Sequence, residues 1–276
     1  MKKNHFLKFA LSTAMVATFF VSCETESVEE TDLISTEVRA KLESLGFNTD
    51  NLMEDSLNGI SGYTVEGDIF LTENQINEMA PANGVGTEHY RTSNIVGPAG
   101  RVINVYMDAD FNNTMQAAFD DALGRYNALN LDITFQRSSS ANADIEVLSQ
   151  RLKKVRGGGT ILGRSAGFPD AAGNPASPIV LNSTVYNPRR GGIPADAATV
   201  IAHEIGHAIG FRHTDFDQRQ YSCGGSPADE GQAGVGAIYI PGTPSGPEAG
   251  SWMLACSNGT DRPFTGGDQT ALTTVY

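Results

Sequence analysis

Three histidines in one short stretch carry the clearest chemical signal in the chain. Residues 203 to 213 read His-Glu-Ile-Gly-His-Ala-Ile-Gly-Phe-Arg-His, and three of the chain's five histidines lie there. On an α-helix, His203 and His207 lie on the same face one turn apart, so both imidazoles can reach one cation. Gly210 can adopt a positive φ, which lets the helix end and brings His213 back as a third ligand. Three neutral imidazoles and a water form the open tetrahedral site of catalytic zinc.

Glu204 adds the group that a hydrolytic zinc site needs beside its ligands. It follows the first histidine directly and therefore points to the neighbouring edge of the site. We predict that Glu204 takes the proton of a water activated by zinc and passes it to the leaving amine of a peptide bond. A structural zinc site does not need this free carboxylate. A zinc site that has lost its activity is the alternative that stays open.

The elements around these residues predict an α+β fold. Alternating valine and isoleucine predict a strand over residues 101–107. Helical spacing of apolar residues predicts a helix over 113–129, capped by Asn112 or Asn113. The metal-site helix is expected over 195–210. Further strands are expected over 131–136, 144–148 and 178–181, and a terminal helix is expected after Thr265.

The first 22 residues predict an export signal. Three lysines precede an apolar run over residues 9–21, which is short for a membrane span. Residues 20–23, Phe-Val-Ser-Cys, resemble a lipobox, where bacterial lipoproteins are cut before a cysteine that is then acylated. Cys23 would be the lipidated residue, and an ordinary secretory signal is the alternative. Either reading predicts an exported protein, at the outer membrane or cell surface or secreted, with membrane contact only through the lipid.

Acidic side chains are concentrated near the N-terminus. Residues 24–88 carry fifteen acidic and two basic side chains, whereas residues 89–276 carry seventeen and fourteen. This balance argues against a nucleic-acid partner, which would need a basic face. The composition predicts a disordered tether over 24–32. It is followed by a helix over 36–45, a strand over 63–71 with Gly67 at a bend or bulge, and a helix over 73–79.

Two cysteines remain if Cys23 is lipidated. An even pair in an oxidising compartment predicts a disulfide between Cys223 and Cys256. Two buried free thiols are the alternative. The many acidic and glycine-rich loops leave Ca²⁺ binding open, but no loop has EF-hand spacing, so we assign no calcium site.

The motif residues described above reproduce the signature of the metzincin clan of metallopeptidases. The Glu-Ile-Gly-His core and the following Phe-Arg-His-Thr-Asp most resemble the bacterial dual-action HEIGH metallopeptidase family. The resemblance covers about residues 95–276. It implies a metzincin-like zincin fold, with a twisted, mostly parallel sheet, an active-site helix and a loop-rich C-terminal subdomain. It also implies a zinc endopeptidase of EC 3.4.24 type with one catalytic Zn²⁺ and a protein or peptide substrate. We expect a monomer.

The same resemblance assigns further positions. Met253 is the candidate for the clan's Met-turn, a methionine below the metal site, although it could equally be a core methionine. Residues 159–168 would form the upper edge strand, which binds an extended substrate through backbone hydrogen bonds; a plain glycine-rich loop is the alternative. The chain departs from astacin-like and serralysin-like members at Ala255, where those members carry a tyrosine. It also has no cysteine between 24 and 222 for a cysteine switch.

A different latency device is suggested by residues 65–69, Val-Glu-Gly-Asp-Ile. They resemble the aspartate switch of astacin propeptides, in which a Gly-Asp pair places a carboxylate on the zinc. Asp68 would then replace the catalytic water, and Gly67 would let the backbone come close. A Gly-Asp turn or bulge without this role is the alternative.

These observations predict a signal peptide over 1–22, an acidic tether and propeptide over 23–90, and a metzincin-like catalytic domain over 91–276. The processing site is expected between about residues 80 and 95, and the full chain is predicted to be a latent proenzyme, or zymogen. The main competing hypothesis is a zinc-containing binding or adhesion lipoprotein with little or no peptidase activity. A zinc hydrolase acting on a non-peptide substrate is a second rival.

Overall fold

The computed structural model describes residues 34–79, 89–154, 159–189, 191–231 and 236–276. The predicted signal peptide, Cys23 and the acidic tether lie outside the described residues. Residues 80–88 of the predicted processing region also lie outside them.

Helices and strands alternate along most of the described chain. The helices are α1 Thr36–Leu45, α2 Glu73–Glu78, α3 Asn113–Asn127, α4 Ser183–Tyr186, α5 Ala197–Ala208, α6 Gln220–Cys223 and α7 Gly266–Val275. The strands are β1 Met53–Leu57, β2 Ile60–Val65, β3 Ile69–Leu71, β4 Tyr90–Arg91, β5 Arg101–Met107, β6 Ile133–Ser138, β7 Ile145–Gln150, β8 Gly163–Ser165, β9 Ile179–Asn182 and β10 Ile238–Tyr239.

One large sheet organises the fold. Its eight strands lie in the order β1-β2-β3-β8-β9-β7-β5-β6, and β4 with β10 forms a separate two-stranded sheet. Strands β9, β7, β5 and β6 pair in parallel, whereas β8 runs antiparallel to β9. The predicted α+β class with a mostly parallel sheet is confirmed for this part of the sheet.

Helices α3 and α5 fill the main core beside the sheet. Asn112 caps α3 by accepting a hydrogen bond from Met115 N at 3.0 Å, as the sequence predicts. The buried face of α3 is built from the apolar residues at helical spacing, Met115, Phe119, Ala122, Leu123 and Tyr126. Helix α5 is buried on every side over its full length, so the metal-site motif lies at the centre of the core.

The N-terminal segment, residues 34–79, adds three strands and two helices to this fold. Its own buried cluster contains Leu42, Leu45 and Val65 and is completed by Phe168 from the loop after β8. Residues 34–276 form one compact unit. The boundary that the sequence places near residue 90 therefore stays a prediction.

The predicted single strand over 63–71 is wrong. Residues 66–68 form a turn between β2 and β3, which pair antiparallel with Val65 opposite Ile69. Glu66 with φ of 55° and Gly67 with φ of 98° both occupy the left-handed region, and this reverses the chain. Alternation of apolar residues cannot distinguish one strand from a tight hairpin when the turn residues continue the pattern.

The position of the expected edge strand also differs. Only Gly163–Ser165 of residues 159–168 is a strand, and β3 pairs with it in parallel, with Ile69 opposite Ser165. The sheet therefore continues past β8 into the N-terminal segment. Among the described helices, none is long and apolar enough to cross a membrane.

A buried hydrogen-bond chain links α3 to the metal-site helix and generates a stability prediction. The Tyr126 hydroxyl donates to Ala202 O at 2.7 Å and accepts from Trp252 Nε1 at 3.1 Å. Tyr126→Phe leaves a buried N–H and a buried carbonyl without this partner, so we expect the free energy of unfolding to fall by about 1–3 kcal/mol. Urea unfolding measures it. The control is Tyr106→Phe, at a half-buried tyrosine on β5, which should change the free energy of unfolding by less than about 0.5 kcal/mol. Equal losses in the two variants would show that the hydrogen bonds of Tyr126 do not stabilise the fold.

Candidate metal centre

Helix α5 presents two of the three motif histidines and ends where the third must return. His203 and His207 both lie on α5. Gly210 follows with φ of 109°, and a Cβ there would lie 3.0 Å from the Asn94 carbonyl oxygen. Both the backbone conformation and the close approach therefore favour glycine. The turn carries His213 back to the histidines of the helix.

The three imidazoles converge on one point together with a carboxylate from the N-terminal segment. Nε2 of His207 and Nε2 of His213 lie 3.2 Å apart. Oδ2 of Asp68 lies 3.1 Å from Nε2 of His213 and 3.6 Å from Nε2 of His203. Ligand atoms from all four residues lie within 4.8 Å of one another, and all four residues are buried.

The opposite ring nitrogens fix the direction of the lone pairs. Each Nδ1 faces an acceptor: Trp252 O at 2.8 Å from His203, Phe211 O at 2.9 Å from His207, and the Glu230 carboxylate at 2.8 Å from His213. Carbonyl and carboxylate oxygens accept hydrogen bonds, so each Nδ1 carries the proton and each Nε2 presents a lone pair to the centre. Three nitrogen lone pairs and one carboxylate oxygen facing each other fit a cation, and this donor set suits Zn²⁺.

Burial and charge act differently on the three rings. Burial lowers the pKa of His203, and it lowers the pKa of His207 well below its ordinary value. Burial also acts to lower the pKa of His213, but the Glu230 and Asp68 carboxylates outweigh it and raise this pKa well above the ordinary value. Two carboxylates therefore attract positive charge to His213, and a metal ion at Nε2 would supply that charge.

Glu204 lies beside this centre with one oxygen free of protein partners. The residue is buried, and its Oε2 has no hydrogen-bond partner among the described residues. Its carboxylate packs against β8, where a Cβ on Gly163 would lie 2.4 Å from Oε1. Burial and the negative charge of Asp68 raise the pKa of Glu204 well above its ordinary value.

Met253 lies in a turn directly below α5. It is fully buried, and a Cβ on Gly206 would lie 2.4 Å from its sulfur, so the methionine packs into the gap that this glycine leaves. Its carbonyl accepts from Thr214 N at 2.9 Å, and the preceding Trp252 holds His203. Met253 stays the predicted Met-turn residue.

A disulfide and a carboxylate hold the wall beside the site. Cys223 and Cys256 are joined with an S–S distance of 2.09 Å. Asp215 accepts from Ala255 N at 2.9 Å and from the Ser222 hydroxyl at 2.6 Å. These contacts tie the segment after Met253 to the segment after His213.

A cavity of about 450 Å³ opens next to His203 and Glu204. Segment 159–163 lines one side and segment 254–257 lines the other. Arg219 also lines it, as do Gly67 and Asp68 of the N-terminal segment. The cavity can therefore hold a chain segment beside the metal centre.

Three charged residues at the site were missed by the sequence analysis. Glu230 holds His213, and Arg219 donates from Nη1 to Glu230. The buried Glu66 carboxyl accepts a hydrogen bond from Arg212, with Oε2 at 3.2 Å from Nη2. Burial, together with the charge of Glu230, raises the pKa of Glu66 to about 8. Glu66 lies two residues before Asp68, which was the one available signal; Glu230 lies in a loop without a recognisable motif.

Comparison with known proteins agrees with this geometry at the level of the family. The sequence pattern of the dual-action HEIGH metallo-peptidases matches residues 63–276. A comparison with curated proteins found no match. Similar solved structures include two of myroilysin, each 14% identical. Their TM-scores are 0.41 and 0.40, with 67% and 66% of this chain and 86% and 82% of those chains covered. Another is high choriolytic enzyme 1, a hatching enzyme zinc-protease from Oryzias latipes, with 16% identity, a TM-score of 0.36 and coverage of 63% and 88%. Since the family pattern spans most of the sequence, the chain belongs to the dual-action HEIGH metallopeptidase family.

Proposed function

We propose that this metallopeptidase is a zinc-dependent endopeptidase made as a latent proenzyme. The observation that carries the proposal is the convergence of three Nε2 lone pairs beside the unpartnered carboxylate oxygen of Glu204. His203, His207 and His213 would hold the metal. The family supplies the substrate class, a protein or peptide.

Glu204 would act as the general base and then as the general acid. Bound zinc supplies Lewis acidity and lowers the pKa of a water toward about 7. Glu204 takes one proton from the attacking water, whose oxygen bonds to the carbonyl carbon. The C–N bond then breaks, and Glu204 gives its proton to the leaving amine. The Oε2 atom of Glu204 supports this role, because it has no hydrogen-bond partner among the described residues and is free to accept that proton.

The substrate would bind beside β8 as an added strand. In this structure β3 takes that place, with Ile69 opposite Ser165 and Ser165 N donating to Asp68 O at 3.0 Å. Backbone pairing of this kind provides affinity without requiring a particular side chain. The N-terminal segment would therefore have to leave before a substrate could enter.

Asp68 would keep the uncut chain inactive by occupying the fourth position at the metal. Burial acts to raise the pKa of Asp68, but His213, His203 and His207 together hold it well below its ordinary value, so the group is a carboxylate. A carboxylate oxygen is a normal zinc ligand and can replace the catalytic water.

Two buried contacts between a carboxyl and a guanidinium would hold the blocking segment in place. Glu66 pairs with Arg212, and Asp55 on β1 lies 2.8 Å from the guanidinium of Arg164 on β8. Both pairs join the N-terminal segment to residues next to the metal site or on the strand that would bind substrate. We propose residues 23–90 as the propeptide and 91–276 as the catalytic domain on this basis.

Export of the protein is a further part of the proposal. The Cys223–Cys256 disulfide supports it, because disulfides persist mainly in oxidising compartments outside the cytoplasm. A signal peptide over residues 1–22 and lipidation of Cys23 would provide the route and the anchor.

The role of Glu204 is tested by Glu204→Gln in the processed protein. We expect kcat/KM for a peptide substrate to fall about 10²–10⁴-fold, because the base is lost while the shape is kept. The zinc content should not change, and a chelator should abolish the wild-type activity. Glu146→Gln on β7 is the matched control and should behave as wild type. A wild-type rate in Glu204→Gln would contradict the mechanism, and no zinc-dependent cleavage by the processed wild type would favour the binding lipoprotein.

The role of Asp68 is tested by Asp68→Ala in the full-length chain. Loss of the carboxylate should raise peptide cleavage by the uncut protein at least about tenfold, which corresponds to ~1.4 kcal/mol of lost blocking free energy. Asp50→Ala, an exposed acid of the same segment, should leave the uncut protein as it was. Processing must be blocked or monitored by mass spectrometry. Equal activity of the uncut wild type and Asp68→Ala would remove the switch.

The role of Glu230 is tested by Glu230→Gln in the processed protein. The amide can still orient His213, but it lacks the negative charge that makes Nε2 of His213 a stronger electron-pair donor to zinc. Zinc affinity should therefore fall about 10–100-fold. Competition with a chromophoric chelator measures it. Glu248→Gln is the control, because it removes a carboxylate that does not contact His213. A loss of zinc affinity of the same size in Glu248→Gln would show that the effect of Glu230→Gln is not specific.

A further inference from the structure

The Arg219 guanidinium lies between Glu230, which holds His213, and the N-terminal segment at Gly67. Its Nη1 donates to the Glu230 carboxylate. Its Nη2 lies 3.3 Å from where a Cβ on Gly67 would stand. Gly67 directly precedes Asp68, whose carboxylate faces the three histidine nitrogens. One arm of the guanidinium is therefore anchored, and the other faces the blocking segment beside the metal centre.

The position of Arg219 is fixed from several directions. Its backbone N–H donates to Ala228 O at 3.0 Å, and its carbonyl accepts from Cys223 N at 3.1 Å. Cys223 is itself held by the disulfide. The side chain is mostly buried, at 17% exposure, and its partner Glu230 is fully buried. A cation held in this way is already oriented and is only weakly screened by water.

The segment that Arg219 faces occupies the place where the reacting carbonyl must lie. Gly67 and Asp68 line the same cavity as His203, Glu204 and Arg219. Under the proposed function, a scissile peptide bond must reach Glu204 and the three histidines, so it takes the space that Gly67 and Asp68 occupy in the uncut chain. Nη2 of Arg219 would then face the substrate backbone instead.

We propose that Arg219 is a catalytic residue that stabilises the negative charge developing on the scissile carbonyl oxygen; this inference rests on the proposed function. When the water oxygen bonds to the carbonyl carbon, the C=O π pair moves onto the carbonyl oxygen. Arg219 stays protonated and donates an N–H to that oxygen. The pair returns as the C–N bond breaks, and the amine takes its proton from Glu204. Donors of this kind act on the transition state more than on the bound substrate.

Two other roles are compatible with the position of Arg219 and make different predictions. An arginine that only holds Glu230 would act through His213, and its removal would weaken zinc binding. An arginine that binds an acidic substrate side chain would affect acidic substrates selectively. Nη2 is the atom that a Cβ on Gly67 would meet, so this arm lies against backbone, which favours contact with the substrate backbone; the nearby Asp68 and Glu66 carboxylates also act on the guanidinium.

The test compares Arg219→Met and Arg219→Lys with wild type in zinc-loaded protein processed from the full chain. Four constants are measured: kcat and KM for one peptide and its acidic analogue, the inhibition constant of a phosphinic peptide of the same sequence, and the zinc dissociation constant. Arg219→Met should lower kcat about 10²–10³-fold and weaken the phosphinic peptide by a similar factor. KM and the zinc dissociation constant should stay within about threefold. Arg219→Lys should fall between Arg219→Met and wild type.

Arg101→Met is the matched control, because Arg101 is a similarly buried arginine paired with Asp144, and it does not line the cavity. It should keep the wild-type constants. The proposal would be overturned by a rise in KM as large as the rise in the inhibition constant of the phosphinic peptide, or by a parallel loss of zinc affinity. A loss of kcat confined to acidic substrates, or no change in kcat, would also overturn it. If Arg219→Met shows no cooperative thermal unfolding, the same constants for Arg219→Lys decide. A processed wild type without zinc-dependent cleavage would instead contradict the proposed function itself.

Discussion

The three Nδ1–H hydrogen bonds are the constraint on which the metal centre depends. They go to Trp252 O, Phe211 O and the Glu230 carboxylate, and they turn every Nε2 lone pair toward one point. Without a cation, nitrogen lone pairs at 3.2 Å would repel each other. The acceptors come from three separate parts of the chain. The site is therefore built by the fold of the C-terminal part and not by the helical motif alone.

Each acceptor explains a neighbouring feature of the sequence. Phe211 O reaches His207 because the positive φ of Gly210, two residues after the end of α5, turns the chain back over the last helical turn. Trp252 O reaches His203 because the turn that carries Met253 rises into the gap left by Gly206. Two glycines and one methionine thus contribute to the metal site without being ligands, because they allow two backbone carbonyls to reach the histidine rings.

Local patterns made much of the site predictable, and long-range pairing limited the rest. The ligand spacing, the Gly210 turn and the capped helix α3 depend on residues close in sequence, so the sequence predicts them well. Glu230 lies 17 residues from His213 in an irregular loop, and no periodic pattern connects the two. The pairing of β3 with β8 joins residues about a hundred positions apart. Asp68 could be proposed only from a resemblance, and its contact with His213 needed the fold.

The blocking segment and a reacting substrate would use the same electrostatics. Asp68 brings negative charge to three histidine nitrogens, and the Glu66 carboxyl accepts a hydrogen bond from Arg212. A single carboxylate competes weakly with water for a metal when it is free in solution, but β3 and the buried contacts of Glu66 with Arg212 and of Asp55 with Arg164 would keep Asp68 at the site. Its effective concentration is then that of a short tether, in the millimolar range or above. Under the proposed latency, cutting the chain would let the segment dissociate, and its binding would become bimolecular. Arg219 lines the cavity beside Gly67 and Asp68. Under the proposed function it would then face a carbonyl oxygen that acquires negative charge during hydrolysis, so the same guanidinium would favour latency before cleavage and catalysis after it.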